Sequence, residues 1–424
     1  MKIVLVSTYA SGGAGKACIR LAEALERKWH TVKILTADTN GKNIIFSTNW
    51  QKKYFRITRF LECLFFLRFE VSKKVRWSFS RGKFGIKIDQ HPSILAADII
   101  HLHWINQWFL SLKGIAQLQE LWKPIVWTLH DLWAFTWGCH YAGGCLNFKK
   151  GCGNCWYLRK PDIYDLSSEV IEKKKKIFAK RNWQFITCSK WLQNLAESSL
   201  LLSSYQIKTI PNPIDTEIFH PQNIWKIRDE LRLPKNKKLL LFVATNIKDE
   251  RKGFIYIKLM LNSTFKNQEY SNHSIELVIL GEIEQKLLEH LKYPVHYLGT
   301  ISDEHQLAKI YWACDTLIMP SLEDNLPNTV MESLACGTPV LAFATGGIPE
   351  MVTHGEQWYI ARYKDLDDLT SGLQWILDMP PALRQIIREN CLKKVLNSYT
   401  YKNIADQYSE IYKETILSSL LRKN

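Results

Sequence analysis

Long apolar runs are missing from this 424-residue chain; the most apolar internal stretch, Phe60 to Leu67, contains Glu62 and lies between Arg59 and Arg68. It is too short to span a bilayer. The opening MKIVLVSTYA has one lysine and breaks its apolar run at Ser7 and Thr8, which predicts a strand and turn rather than a secretion signal. Proline (14) and glycine (20) are sparse, excluding fibrous, disordered and low-complexity chains. Ten cysteines in this length make no secreted disulfide scaffold, so a reducing cytoplasm is the expected compartment. Acids are outnumbered too, 41 against 56 Lys plus Arg, leaving a formal +15. That excess suggests an anionic partner: phosphate, nucleic acid or an acidic membrane surface. With 46% apolar residues the chain can bury a large core, and about 150 residues per domain predicts two to three domains.

What is present is alternation. IVLVS, a glycine turn, a helix with Ala17, Leu21, Ala24 and Leu25 on one face, and TVKILT form a strand-helix-strand unit. IIHLHW (99–104), IVWTL (125–129) and FITCS (185–189) continue it, predicting a doubly wound domain over residues 1–208. IPNPIDTEIF at 210–219, with two prolines around Asn212, cannot be helical and marks a linker over 209–221. KLLLFVA (238–244), IELVIL (275–280), TLIMPS (316–321) and PVLAFA (339–344) supply a second series of buried strands, a domain over 222–395, before a helix over 396–424 expected to return to the first domain. The fold class is α/β, two Rossmann-like domains facing a central cleft, because open parallel sheets bind ligands at the carboxyl ends of their strands.

The most informative stretch is PSLEDNLPNTVMESLACGTPVLAFATGGIPEMV, residues 320–352. A strand ends at Ser321, an acidic loop follows, and Asn328 is a plausible N-cap for a helix burying Val330, Met331, Leu334 and Ala335. Glu332, one turn inside on the same face as Asn328, is expected to look toward the cleft beside amides and a dipole end that suit a phosphate. The next turn, TGGIPE, offers Gly346 and Gly347 where backbone must approach a ligand closely. Two ordinary strand-to-helix turns with solvated acids would be the bland reading of either loop alone; their combination argues against it.

This block resembles the group 1, family 4 retaining glycosyltransferases of GT-B fold. The resemblance extends to GGAGKACIRLAEAL near the start, TLHDLWAFTWGCHY at 128–141, PNPID, and RKGF at 251–254. The wording LEDNLPNTVMESLACGTPV and HDLW with its cysteines is most similar to the branch that builds exopolysaccharides of the colanic-acid type. The resemblance implies that Gly12 and Gly13 approach the donor diphosphate and sugar, that Lys252 neutralises the diphosphate, that Glu332 holds the ribose hydroxyls, that His130 stands beside the donor sugar at the reacting centre, and that Glu350 lies near the donor. Two positions depart from the family pattern. Position 246 is Asn where an arginine is usual, leaving Arg251 to take over its charge. With seven residues between, the acid paired with Glu332 is Asp324, whereas the glutamate, Glu323, is one residue too early; the register favours Asp324 and residue type favours Glu323 as the carboxylate holding the sugar. A lysine and helix N-termini aimed at a departing diphosphate stabilise its charge, so no catalytic metal is called for.

SGGAGKA lacks a Walker loop's first glycine, at Ala10, and its Ser or Thr, at Ala17. GCHYAGGCLNFKKGCGNCWYL brings Cys139, Cys145, Cys152 and Cys155 into zinc-ligand spacing, a structural site if all four bind and reduced packed thiols otherwise. His101 and His103 on HLHW read as core or cleft-edge groups. Residues 50–90 hold eleven Lys or Arg against three acids, interleaved with aromatics, and suit either an anionic membrane surface or a solvated helix pair with its aromatics inward. KKKK at 173–176 reads as a solvated helix face, and no nucleic-acid module accompanies the charge.

The expected function is therefore transfer of a sugar, with retention, from a nucleotide sugar of the UDP or GDP type to a hydroxyl of a polysaccharide or lipid-linked acceptor. The chain would work in the cytoplasm, peripheral to the inner face of the membrane, without a nucleic-acid partner. A nucleotide-sugar epimerase or hydrolase of the same fold, or a binding-only protein, are the alternatives.

Overall fold

The structure, a computed structural model, describes residues 1–37, 44–46, 49–77, 79–179, 183–264, 275–284, 291 and 293–421. Two compact units emerge: Met1–Asn212 with Ile404–Asn424, and Pro213–Asn403.

In the first unit the described strands are β1 (Lys2–Val6), β2 (Thr31–Thr36), β3 (Ile44–Phe46), β4 (Ile99–Leu102), β5 (Ile125–Leu129), β6 (Gln184–Thr187) and β7 (Lys208–Thr209). They form one parallel sheet in the order β3-β2-β1-β4-β5-β6-β7. β4 and β5 are buried along their whole length, as strands covered by helices on both faces must be, and so read as unbroken apolar runs. Trp127, Trp133, Trp137, Phe135 and Phe185 fill the core. Within this unit the helix Tyr401–Leu421 contributes Tyr412, whose hydroxyl meets His101 Nδ1 at 2.7 Å, and Tyr408, which meets Thr128 Oγ1 at 2.8 Å.

The second unit holds β8 (Lys238–Asn246), β9 (Ile275–Glu282), β10 (Val295–Tyr297), β11 (Thr316–Met319), β12 (Val340–Phe343) and β13 (Trp358–Ala361). Their order is β10-β9-β8-β11-β12-β13, again parallel. At the amino ends of its central strands, buried Arg228 donates to Asp315 at 2.9 Å and Arg384 reaches the other carboxylate oxygen at 2.6 Å. The Leu239 amide completes that knot, which leaves the opposite, carboxyl ends to carry chemistry.

Both orders reverse direction once, between β1 and β4 and between β8 and β11. Connections leaving those two neighbours diverge to opposite faces and open a crevice at the carboxyl ends, where ligands of open α/β sheets bind. Each unit thus has one such switch point.

Candidate active site

At the second unit's switch point, the loop after β8 meets the loop after β11. Lys252 Nζ lies 2.6 Å from Asp324 Oδ2, and Asp324 is buried. The loops are stitched by backbone: Leu322 N–H donates to Arg251 O at 2.7 Å and Gly347 N–H to Asn325 O at 2.7 Å. Gly253, at φ +69°, would put a Cβ 1.9 Å from Pro320 O, and Gly346, at φ +55°, would put one 1.5 Å from Asp324 O. No other residue type fits either position. Gly346 therefore makes room for the acidic loop's own backbone. Arg251 is held by Asp249, through Nε at 3.1 Å and Nη2 at 2.6 Å. Glu323 is half-buried beside Asp324.

Asn328 is the first residue of the helix Asn328–Ala335 and not its cap; Pro327 takes the cap position and makes no side-chain cap bond. Proline explains the shift, since its fixed φ and missing N–H suit a helix entrance. Glu332 is buried one turn in and accepts a hydrogen bond from Tyr311 at 2.9 Å. Glu350 sits half-buried in the first turn of the short helix Ile348–Met351, just after Gly347.

In the first unit, Gly12 and Gly13 open the helix Gly12–Glu26 and are exposed; a Cβ on either would meet nothing within 4 Å. Gly15, which sequence reasoning passed over, is the glycine that packing requires, because a Cβ there would lie 2.6 Å from the Ala10 backbone. The third glycine of SGGAG was the available signal. Across the switch point, Thr8 donates from Oγ1 to Asn106 O and from its amide to Trp104 O, both at 2.7 Å.

His130 follows β5. Its Nε2 lies 3.0 Å from His103 Nδ1, and its Nδ1 lies 3.5 Å from Cys188 Sγ. Desolvation pulls His130 down to about 4, the Asp131 charge opposing this, and burial holds His101 and His103 well below the usual imidazole range. All three are neutral at pH 7. Asp131 Oδ2 accepts from Trp104 Nε1 at 2.5 Å and Asn106 Nδ2 at 3.1 Å and pairs with His140 Nδ1 at 2.7 Å; Oδ1 accepts from the Trp133 amide. His140 Nε2 reaches Ser80 Oγ at 3.0 Å. A cavity of ≈ 10 Å³ lies among His103, Asn106, His130, Asp131 and Trp133, and the buried His103 Nε2 has no hydrogen-bond partner among the described residues.

Two sequence readings change. Lys174, inside KKKK, is fully buried rather than solvated, its Nζ donating to Thr136 O at 2.9 Å and to Trp133 O. Val170, Ile171 and Phe178 share its face of the helix Leu166–Phe178, and that spacing could have revealed it. The stretch 50–90 divides between its two readings. Phe66 packs on Phe79 with ring centroids 4.4 Å apart, and Arg81 and Lys83 lie over Phe65. Phe60 is 64% exposed, with Ile57, Leu61 and Leu64 also exposed on the helix Asn49–Phe66. The side chains of Lys52, Lys53, Tyr54, Lys74 and Trp77 lie outside those described. Among the described residues no helix is long and apolar enough to cross a membrane.

The four clustered cysteines are free thiols lining one cavity, and no three His, Cys, Asp or Glu side chains among the described residues are grouped, as they stand, to hold a metal ion.

A model of glycosyl transferases group 1 matches residues 223–394, and one of glycosyltransferase family 4 matches residues 11–218. An uncharacterized glycosyltransferase of Methanocaldococcus jannaschii is 25% identical over 423 residues, 95% of this chain and 94% of that one. An Escherichia coli protein named as a colanic acid biosynthesis glycosyl transferase, WcaC, is 25% identical over 261 residues, 58% of this chain and 59% of its own. Among solved structures, Anabaena HepE in complex with UDP and glucose superposes with a TM-score of 0.60 at 15% identity, covering 97% of this chain and 99% of that one. That likeness establishes the GT-B fold.

Proposed function

Because this chain belongs to the group 1 glycosyltransferases and is a transferase of GT-B fold, we propose that it moves a sugar, with retention, from a nucleoside-diphosphate sugar to a hydroxyl of a polysaccharide or lipid-linked oligosaccharide. The observation that carries the donor half is the Lys252–Asp324 pair at the second unit's switch point. Breaking a glycosyl phosphate leaves negative charge on the diphosphate, and an ammonium beside it stabilises that charge as it develops. Lys252 is released toward phosphate when one arrives, and Asp324 is then left to accept from sugar hydroxyls, with Glu323 as its neighbour. Glu332, held by Tyr311, takes the ribose. Glu350, Gly347 and the amides at the start of Asn328–Ala335 line the donor, and Arg251 adds positive charge. No catalytic metal enters this scheme.

The first unit supplies Gly12 and Gly13, whose open surroundings leave space for diphosphate, and His130 for the reacting sugar. A neutral imidazole accepts a hydrogen bond or donates one without adding charge near a forming oxocarbenium centre. The departing phosphate oxygen takes the acceptor's proton on the face it leaves, which preserves configuration. A UDP-type donor is supported by HepE, which was solved with UDP and glucose, and an exopolysaccharide-type acceptor by the WcaC likeness. The exposed Phe60, Ile57, Leu61 and Leu64 beside Arg56 and Arg59 support docking on an anionic leaflet from the cytoplasmic side, where each basic residue contributes about 1 kcal/mol.

The test is a panel of UDP- and GDP-sugars, with and without membrane extract, read as nucleotide release and labelled product. Transfer needs both partners, and product anomeric configuration read by NMR must equal that of the donor. Nucleotide release indifferent to every acceptor would indicate a hydrolase, and interconversion without release an epimerase.

A further inference from the structure

Ten thiols are present, and four of them share one cavity. Elsewhere Cys188, Cys336 and Cys391 each donate from Sγ to a protein oxygen, Cys188 to Asn212 Oδ1 at 3.2 Å, Cys336 to Ala308 O at 3.5 Å and Cys391 to Gln357 O at 3.7 Å. That is how buried thiols satisfy their one hydrogen. None of Cys139, Cys145, Cys152 and Cys155 makes such a bond among the described residues, although all four face one cavity of ≈ 20 Å³. What surrounds them is donors. The Trp137 amide points at Cys152 and the Tyr157 amide at Cys155. The Trp137 indole N–H lies toward Cys155 and, buried with its residue 1% exposed, has no hydrogen-bond partner of normal geometry among the described residues. The buried Lys174 side chain is enclosed beside Cys139 and Cys152. N–H donors aimed at sulfur suit thiolates and leave thiols unsatisfied.

The backbone is shaped to the same end. Cys152, Gly153 and Asn154 all adopt left-handed φ, at 62°, 92° and 49°, a run that non-glycine residues hold only when the surroundings over-determine it. Here they do: Cys152 N–H donates to Asn147 O at 2.8 Å, Asn147 Nδ2 to Gly153 O at 3.0 Å, Gly153 N–H to Ser167 Oγ at 2.9 Å and Cys155 N–H to Asp165 Oδ2 at 2.8 Å. The turn Cys-Gly-Asn-Cys brings its two sulfurs to one wall of the cavity, and the loop through Gly143 and Gly144 brings the other two.

We propose that Cys139, Cys145, Cys152 and Cys155 bind one thiophilic divalent cation, zinc by class, in a closed structural site. The sulfurs ring the cavity without converging as they stand, so binding requires their side chains to turn onto the ion. Binding converts four thiols and Zn²⁺ into a tetrathiolate of net charge −2 and releases four protons, with no change of oxidation state. Lys174 and the indole and amide N–H groups balance that charge. The ion fixes the loop that presents His140 to Asp131, and does no chemistry on the sugar.

The test uses the full-length wild-type chain, purified without chelator. Elemental analysis should give one zinc per chain, and exchange for Co²⁺ should produce thiolate-to-cobalt charge-transfer absorption with the visible bands of a tetrahedral ion. Chelation should expose four additional thiols to an alkylating probe and lower the thermal midpoint. Cys145→Ser and Cys152→Ser should abolish the tetrathiolate spectrum; because such variants can fail to fold, the wild-type cobalt spectrum decides. A metal-free chain with no cobalt-thiolate absorption, or mass spectrometry showing these cysteines as disulfides, overturns the proposal. Its outcome is independent of sugar transfer.

Discussion

The two switch points solve one positioning problem with different chemistry. In the first unit the loops after β1, β4 and β5 are joined by hydrogen bonds in which the Asp131 carboxylate is fixed by Trp104, Asn106 and the Trp133 amide, and His101, His103 and His130 are kept uncharged by burial. In the second unit the loops after β8 and β11 are joined by a Lys–Asp pair, with glycines removing the side chains that would hold the backbones apart. A network whose one carboxylate is shared among several fixed donors holds a shape regardless of ligand. An ion pair can be exchanged, one partner for an incoming phosphate and the other for hydroxyls, so the second unit is built to change partners and the first to stay still.

The sharpest way to break that contrast is to remove the exchangeable charge. Lys252→Ala should lower sugar transfer about 10²- to 10³-fold, the usual loss for one preorganised donor to developing charge. The fall should appear in kcat/KM for donor, while Lys252→Arg keeps part of it. Asp324→Asn comes next, at about ten- to a hundredfold, since a charge-assisted hydrogen bond contributes roughly 1.5–3 kcal/mol. Glu323→Gln should be nearly normal. If Glu323→Gln is instead the crippled variant at saturating donor, Asp324 serves only to hold Lys252, and the acid that grips sugar is its neighbour.

The glycines sharpen the comparison from the side of stability. Gly346→Ala drives a Cβ into Asp324 O at a left-handed φ, and should destabilise by about 2–3 kcal/mol while disordering the acidic loop. Gly13→Ala meets open space in a helix and should be neutral or stabilise by about 0.5–1 kcal/mol. Donor affinity should nevertheless fall, because the methyl group occupies room reserved for diphosphate. Thermal midpoints together with donor KM separate the two glycines; unchanged KM in Gly13→Ala would make that glycine a matter of chain geometry alone.

How much of this could be read beforehand follows from what each feature depends on. The central strands were legible because burial on both faces leaves unbroken apolar runs such as IVWTL, and two series of them divided by PNPID give the two sheets. Asp324 and Lys252 were legible through the family resemblance, but their contact was not, since it depends on β8 and β11 being neighbours across a reversal of strand order. The His103–His130 pair was hidden because it joins the tips of β4 and β5, whose side-by-side placement only the folded sheet supplies. Lys174 was misread because a run of four lysines masks helical spacing, and Asn328 because residue type suggested a cap that Pro327 already occupied.

The smallest expected effect tests the first unit's uncharged imidazoles through pH. A histidine held below its unfolded value of about 6.5 binds fewer protons when folded than when unfolded, across the window between the two values. Stability then rises with pH through that window, is fully present above about 6.5, and is lost as pH falls through the folded value, about 4 for His130. The urea midpoint, followed by tryptophan fluorescence, should therefore decline from pH 7.5 to 5 in the wild type. In His103→Asn, which removes one buried imidazole and keeps an amide able to face His130 Nε2, the decline should be shallower. Lys252→Met, in the other unit, should leave the slope as it was. Parallel slopes in wild type and His103→Asn would mean that His103 titrates alike in the folded and unfolded chain, and the distinction between a site of fixed uncharged imidazoles and an exchangeable ionic one would fall with it.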